Sequence, residues 1–403
     1  MKKDLLISLA QRHSTPFYAY DLSAVATRVN ALRAELPVQA RLFQSFKANP
    51  LPALAREVRV NGGRAEITSE GELRAAQEAG FTGDELLYGG PAKTEAEIAA
   101  ALKAGVRWFS CESWVDASRV SFEALNARIE AQVLLRVNPA EAPSAGLAMT
   151  GVESQFGFDE EMLLTTARPD LGGIALRGVH VYFGSQIASR EALVENTRRA
   201  LGAAERVSTK LGFQCDVVNA GGGFPWPYGN DGTTPDLAGM RADLEELWQA
   251  CPFNGQAELW FESGRHLVAS SGTLVARVMD VKQSRTKCYI VLDTGIHHLG
   301  GMSGLGRLPR GGMTFYNLTR GVTGDAMTCD VVGPLCSPLD SLARGILLHE
   351  TRPDDLIAIP NVGAYGLTAS LIGFLSHSAP VEIAYRGSEI VSVLRLHTGH
   401  GTD

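Results

Sequence analysis

The chain is poor in cysteine, and its six cysteines follow no pattern: Cys111, Cys215, Cys251, Cys288, Cys329 and Cys336 show no CxxC or other metal-ligand spacing. A chain of 403 residues does not need a disulfide framework to hold a core. The cysteines therefore read as reduced thiols, with no metal site, and a cytoplasmic location is expected. No apolar run approaches the ~20 residues that cross a bilayer. Leu5-Leu6-Ile7 after Lys2 and Lys3 mimics the start of a signal peptide, but Ser8 and Gln11-Arg12-His13 break it. An excess of one charge is also missing. The net charge is −7, with acids and bases interspersed, which argues against a nucleic-acid or anionic-membrane surface. There is no internal repeat and no low-complexity tract.

Eight short apolar runs, each closed by a polar or glycine-rich turn, follow one another from Arg41 to Phe261. They are expected as strands over residues 41–46, 64–67, 85–88, 106–110, 132–137, 177–183, 215–219 and 257–261, separated by alanine-rich amphipathic helices. That alternation is the mark of an α/β fold, here a (β/α)8 barrel. An aromatic strand over residues 17–20 precedes it. Asp21 is placed to cap the helix that follows, to about residue 35, and Ser69 with Glu72 forms a capping box for another. Beyond Gly272 β-branched strands (273–282, 288–293, 330–332) and glycine-rich loops replace the helices. The expected division is a barrel over residues 23–269 and a β-rich domain from residues 1–22 plus 270–403.

In such a barrel, residues leaving the C-terminal ends of different strands meet on one face. Lys47 follows the first run, Asn138 the fifth, Ser185 the sixth, Gly221-Gly222-Gly223 the seventh and Glu262 the eighth. A partly buried lysine at that rim is an amine free to condense with a carbonyl. Glycines after the seventh strand let backbone N–H groups face a phosphate, with Ser185 and Arg265 as further donors. A phosphate and a Schiff-base lysine in one barrel point to pyridoxal 5′-phosphate. Glu262 then has a role, because a carboxylate beside the pyridine nitrogen keeps it protonated and makes the ring an electron sink.

Phe46-Lys47-Ala48-Asn49-Pro50, His180-Val181-Tyr182-Phe183-Gly184-Ser185-Gln186, Gly221-Gly222-Gly223-Phe224, Glu262-Ser263-Gly264-Arg265, Gly333-Pro334-Leu335-Cys336 and Gly363-Ala364-Tyr365 occur in that order. The set resembles the fold-type III pyridoxal-phosphate decarboxylases, the family of diaminopimelate and ornithine decarboxylases, over nearly the whole chain. The resemblance implies an alanine-racemase-like barrel with a C-terminal β-domain, and a homodimer with active sites at the subunit interface. It makes Lys47 the cofactor lysine and Glu262 the ring partner. His180 and Tyr182 would lie at the cofactor, and Ser185, Gly222, Gly223, Gly264, Arg265 and Tyr365 would cradle its phosphate. Cys336, reaching in from the other subunit, would be the acid that protonates the substrate carbon once CO2 has left.

Three departures bear on substrate. Tyr182 stands where family members place a histidine that stacks on the cofactor. Ser337-Pro338 follows the cysteine, where diaminopimelate and ornithine decarboxylases place an acid for the substrate's distal ammonium. An arginine-proline-x-leucine-tyrosine segment near the distal carboxylate is absent, and Arg307 and Arg310 occupy a glycine-rich loop instead. The chain is more similar to a smaller branch in secondary metabolism, one member of which decarboxylates a glutamyl group on an acyl carrier protein. The expected activity is α-decarboxylation of an amino acid or carrier-linked amino-acyl group, with Arg307, Arg310 and Ser337 at the substrate. The alternatives are meso-diaminopimelate decarboxylation, a racemase, which would need two opposed bases, and a non-catalytic pyridoxal-phosphate-binding protein.

Overall fold

The structure is a computed structural model; it describes residues 2–139, 147–148, 153–300 and 312–397, with only the backbone described at 147–148. Two compact units emerge: Met1–Val25 with Trp226–Thr233 and Val268–Asp403, and Ala26–Pro225 with Thr234–Leu267.

The second of these is the barrel. Its strands are β1 (Arg41–Ser45), β2 (Arg64–Ile67), β3 (Leu86–Tyr88), β4 (Trp108–Cys111), β5 (Ala131–Asn138), β6 (Ile174–Val181), β7 (Val217–Asn219) and β8 (Glu258–Ser263). Every neighbouring pair is parallel, and β8 pairs with β1 to close the ring. The apolar floor follows from strand alternation. Phe43, Leu87, Leu134 and Val217, one from each odd-numbered strand, pack with Trp260 of β8 and Trp108 of β4. Phe43 and Trp108 lie 4.7 and 4.9 Å from the Trp260 ring. Gly178 of β6 makes room for this layer, since a Cβ there would meet Val217 O at 2.0 Å and Leu134 Cδ2 at 2.9 Å.

Two local expectations need correcting. β5 runs to Asn138 and β8 to Ser263, so Asn138 and Glu262 lie within their strands rather than past their ends. The Ser69 hydroxyl does accept the Glu72 N–H at 3.2 Å, but the Glu72 carboxylate turns to Thr68, accepting its N–H at 2.6 Å and its hydroxyl at 3.0 Å. The reciprocal half of the box is thus displaced by one residue.

In the other unit, Phe17–Asp21 lies between Gly272–Ser284, antiparallel, and Val381–Arg386, parallel. Lys287–Leu292, Met327–Val332 and Ser341–Leu348 continue the sheet on one side and Glu389–Arg395 on the other. The helix Lys3–His13, which the sequence pattern did not disclose, buries Leu6, Leu9 and Ala10 against Phe17, Ala19, Val275 and Ile383. Residues 226–233 join this unit through Asn361, whose side chain accepts the Trp226 indole N–H at 2.9 Å and donates to Asn230 O at 2.7 Å. Among the described residues no helix is long and apolar enough to cross a membrane.

Candidate active site

Period-2 alternation carries the apolar floor of the barrel into a polar layer above it. Trp260 points into the core, so Glu262, two residues on, points the same way one layer higher. Trp108 and Ser110 on β4 repeat the step, as do Gly178 and His180 on β6 and Arg64 and Glu66 on β2. Glu66, Ser110, His180 and Glu262, all buried, thus come one from each even-numbered strand.

Their contacts form a chain. Ser110 Oγ meets His180 Nδ1 at 2.8 Å, and His180 Nε2 lies 3.4 Å from Glu262 Oε1. The Asn219 amide donates to that same oxygen at 2.7 Å, while its own carbonyl accepts the Gly221 N–H at 2.9 Å. Burial pushes the Glu262 carboxyl up. Burial and the charge of Glu262 raise Glu66 to about 7. Burial, with Arg136 adding to it, lowers His180 to about 3, so that imidazole is neutral. Arg136, which pairs with Glu112 at 2.7 Å, and Lys47 both act against the rise of the two carboxyls.

Lys47 sits in a 3-10 turn, Phe46–Ala48, directly after β1. Phe46 and Ala48 are buried while Lys47 between them is exposed, which corrects the expected partial burial; the lysine is still close enough to act electrostatically on Glu66, Glu72 and Glu262. Its Nζ lies 5.3 Å from the centre of the Tyr182 ring. The Tyr182 hydroxyl reaches Ser185 Oγ at 2.9 Å. The tyrosine therefore ties the lysine side of the rim to the serine of the Gly-Ser pair.

The glycine turn is packed onto Glu262. Gly221 O accepts the Glu262 N–H at 2.7 Å, and a Cβ on Gly222 would lie 2.1 Å from Glu262 O. Gly223, at φ +100°, would place a Cβ 2.6 Å from Gly184 O, and Gly264 would place one 2.7 Å from Ala48 Cβ. The turns after β1, β6, β7 and β8 close on one another only because side chains are missing there. Arg265 opens the next turn.

Tyr365, Cys336 and Ser337 belong to the β-rich unit. Tyr365 is buried with φ +53°, and its carbonyl accepts the Tyr228 hydroxyl at 2.9 Å. Cys336 is exposed, whereas Cys111, Cys215, Cys288 and Cys329 are buried. Ser337 Oγ accepts the Leu339 N–H at 3.2 Å. Arg307 and Arg310 lie outside the described residues. Sequence reasoning passed over Glu66, Ser110 and Asn219; the signal available was an acid or small polar residue at an inward position of an otherwise apolar strand.

The arrangement fits pyridoxal phosphate. A buried, elevated carboxyl wants a cationic ring nitrogen beside it, and a side-chain-free turn offers N–H groups to a phosphate. Comparison with known proteins agrees. The family model described as "Pyridoxal-dependent decarboxylase, pyridoxal binding domain" matches residues 22–269. An L-glutamyl-(BtrI acyl-carrier protein) decarboxylase from Niallia circulans is 30% identical over 98% of this chain and 94% of its own length. A diaminopimelate decarboxylase from Deinococcus radiodurans is 31% identical over 99% and 97%. Among solved structures, Helicobacter pylori diaminopimelate decarboxylase complexed with L-lysine superposes with a TM-score of 0.83 at 25% identity, covering 97% of this chain and 96% of that one.

Proposed function

Since the chain belongs to the family of pyridoxal-dependent decarboxylases, we propose that Lys47, Glu262 and Cys336 carry its reaction and that its substrate has no cationic far end. The cofactor, when bound, supplies an electron sink for the charge left as the α-carboxylate departs. Lys47 would hold the cofactor through its amine until a substrate amine takes its place. Glu262 holds a proton at the ring nitrogen, and Asn219 and the neutral His180 orient its carboxylate. Tyr182, between Lys47 and Ser185, would pack its ring against the cofactor. Ser185, Gly222, Gly223, Gly264, Arg265 and Tyr365 hold the phosphate, and Cys336 delivers the proton to the α-carbon. Cys336 acts in the site of a second copy of the chain, so the enzyme is a homodimer, and it works in the cytoplasm.

The substrate assignment is an amino-acyl group such as a glutamyl group on a carrier protein, with Arg307, Arg310 and Ser337 as its contacts. The observation that carries it is Ser337 directly after Cys336, where an ammonium would need an acid. The similarity to the Niallia decarboxylase supports it. The similarity to the Deinococcus enzyme favours meso-diaminopimelate as a second reading. CO2 release from diaminopimelate, ornithine, lysine, glutamate and a glutamyl-carrier conjugate decides between them. The conjugate is expected to lead, and diaminopimelate at or above about 10⁴ M⁻¹s⁻¹ in kcat/KM would overturn the assignment.

A further inference from the structure

The β-rich unit carries a group of titratable side chains that the assignments above leave unused. After Lys287–Leu292, the turn Thr294-Gly295-Ile296-His297-His298 sets two imidazoles against each other, ring centroids 3.6 Å apart and planes tilted by 39°, with His377 5.0 Å from His297. His297 and His298 are both buried. Among the described residues neither ring nitrogen of His297 meets a hydrogen-bond partner, nor does Nε2 of His298, while His298 Nδ1 meets Thr294 Oγ1 at 3.3 Å. Native proteins keep few buried polar atoms unpaired. Burial, reinforced by the adjacent imidazoles, lowers His297 to about 4 and His298 to about 3. Each is then neutral, with one N–H donor and one lone pair.

The turn is anchored on two sides. Asp340 accepts the Ile296 N–H at 2.9 Å and the Leu335 N–H at 2.8 Å, so one carboxylate ties the histidine turn to the turn that ends at Cys336. Gly295 and Gly333 have no room for a Cβ against it, at 2.1 and 2.3 Å. Ser370 Oγ accepts the Gly300 N–H at 2.7 Å and donates to Gly366 O at 2.7 Å, tying the same loop to the residue after Tyr365. The histidines thus stand between the segments of Cys336 and Tyr365. Asp340 spends both oxygens on backbone N–H groups. The titratable groups acting on the pair are its own neighbours His297 and His377, and the Asp340 carboxylate acts in turn on His377. Among the described residues no group of three or more His, Cys, Asp or Glu could hold a metal ion.

We propose that His297, His298 and His377 form the subsite for the far end of the substrate, accepting a carbonyl-type oxygen, whether free carboxylate or acyl carbonyl, and refusing an ammonium. The inference rests on the roles given above to Cys336 and Tyr365. Imidazole N–H groups match an oxygen acceptor. A buried ammonium, in contrast, would find lone pairs and, among the described residues of this turn, only the Asp340 carboxylate, both of whose oxygens are already held by backbone N–H groups.

Three probes of one chain length test it without requiring turnover: glutarate, glutaric acid monoamide and 5-aminopentanoate, titrated calorimetrically into cofactor-loaded enzyme reduced with borohydride, in which no probe amine can displace the lysine. The first two should bind at least about 10-fold more tightly than the third, the scale set by one satisfied buried hydrogen bond. His297→Phe should compress that ranking to about twofold or less. His377→Leu, at a half-buried position that leaves the core intact, should compress it in the same direction. Tight binding of 5-aminopentanoate by the unaltered enzyme, or an unchanged ranking in His377→Leu, overturns the subsite. A fully active Cys336→Ala enzyme would instead overturn the catalytic premise, while the ranking still decides the subsite, so the two failures are told apart.

Discussion

Glu66, Glu72 and Glu262 surround Lys47 electrostatically, and burial raises the carboxyl of each. On the role proposed for Lys47, Lys47→Ala removes the amine that the cofactor aldehyde needs. The variant should lose the visible absorbance of bound cofactor and at least about 10³-fold in turnover; borohydride labelling at any other lysine would contradict the assignment. Glu262→Gln should keep the cofactor, detected by its absorbance, yet lose about 10²-fold or more in kcat, because an amide cannot hold the ring proton. Glu66 gives a pH signature. Its folded value near 7 lies above the unfolded one, so its contribution favours folding below about pH 4.5 and is lost as pH rises through about 7. In cofactor-free protein, Glu66→Gln should therefore match the unaltered chain at pH 5 and melt roughly 2–6 °C higher at pH 8. Equal melting at both values would show that Glu66 carries no such strain.

Turns and strands explain which of these features could be read in advance. The eight barrel strands were legible because each is a short apolar run between helical patterns, and the rim residues were legible because strand ends share one face. Glu66 was not, since its strand is only Arg64–Ile67. Four residues cannot show whether an acid points inward, and only the barrel's closure decides that. The Lys3–His13 helix was hidden because its apolar stripe, Leu6, Leu9 and Ala10, is brief and follows two lysines. The exposure of Lys47 escaped because a strand running to Phe46 was expected, where a 3-10 turn begins. The glycine turn after β7 supplies the element-scale prediction. Gly222→Ala drives a Cβ against Glu262 O, so backbone must move. The variant should be destabilised by about 1–3 kcal/mol, read by denaturant unfolding, and should bind cofactor more weakly. Unaltered cofactor affinity would detach that turn from the site.

For the whole molecule the decisive issue is whether one chain suffices. If Cys336 serves a second copy, mixing inactive Lys47→Ala with inactive Cys336→Ala protein should restore activity. Heterodimers then place both lesions in one site and leave the other intact, so each should regain about half the normal sites. Proven subunit exchange without recovery would put both residues in one chain's site. The stacked layers of the barrel also bear on the life of the protein. Glu66 and Glu262 stand, both buried, over an apolar floor of Phe43, Leu87, Leu134, Val217 and Trp260, where burial opposes the charge of each. On the proposed site, a cationic ring lodged beside them would act as their counterion and so as a folding ligand, whose effect grows with its concentration. The vitamin supply of the cell would then govern how many copies survive proteolysis, as well as how many of them turn over.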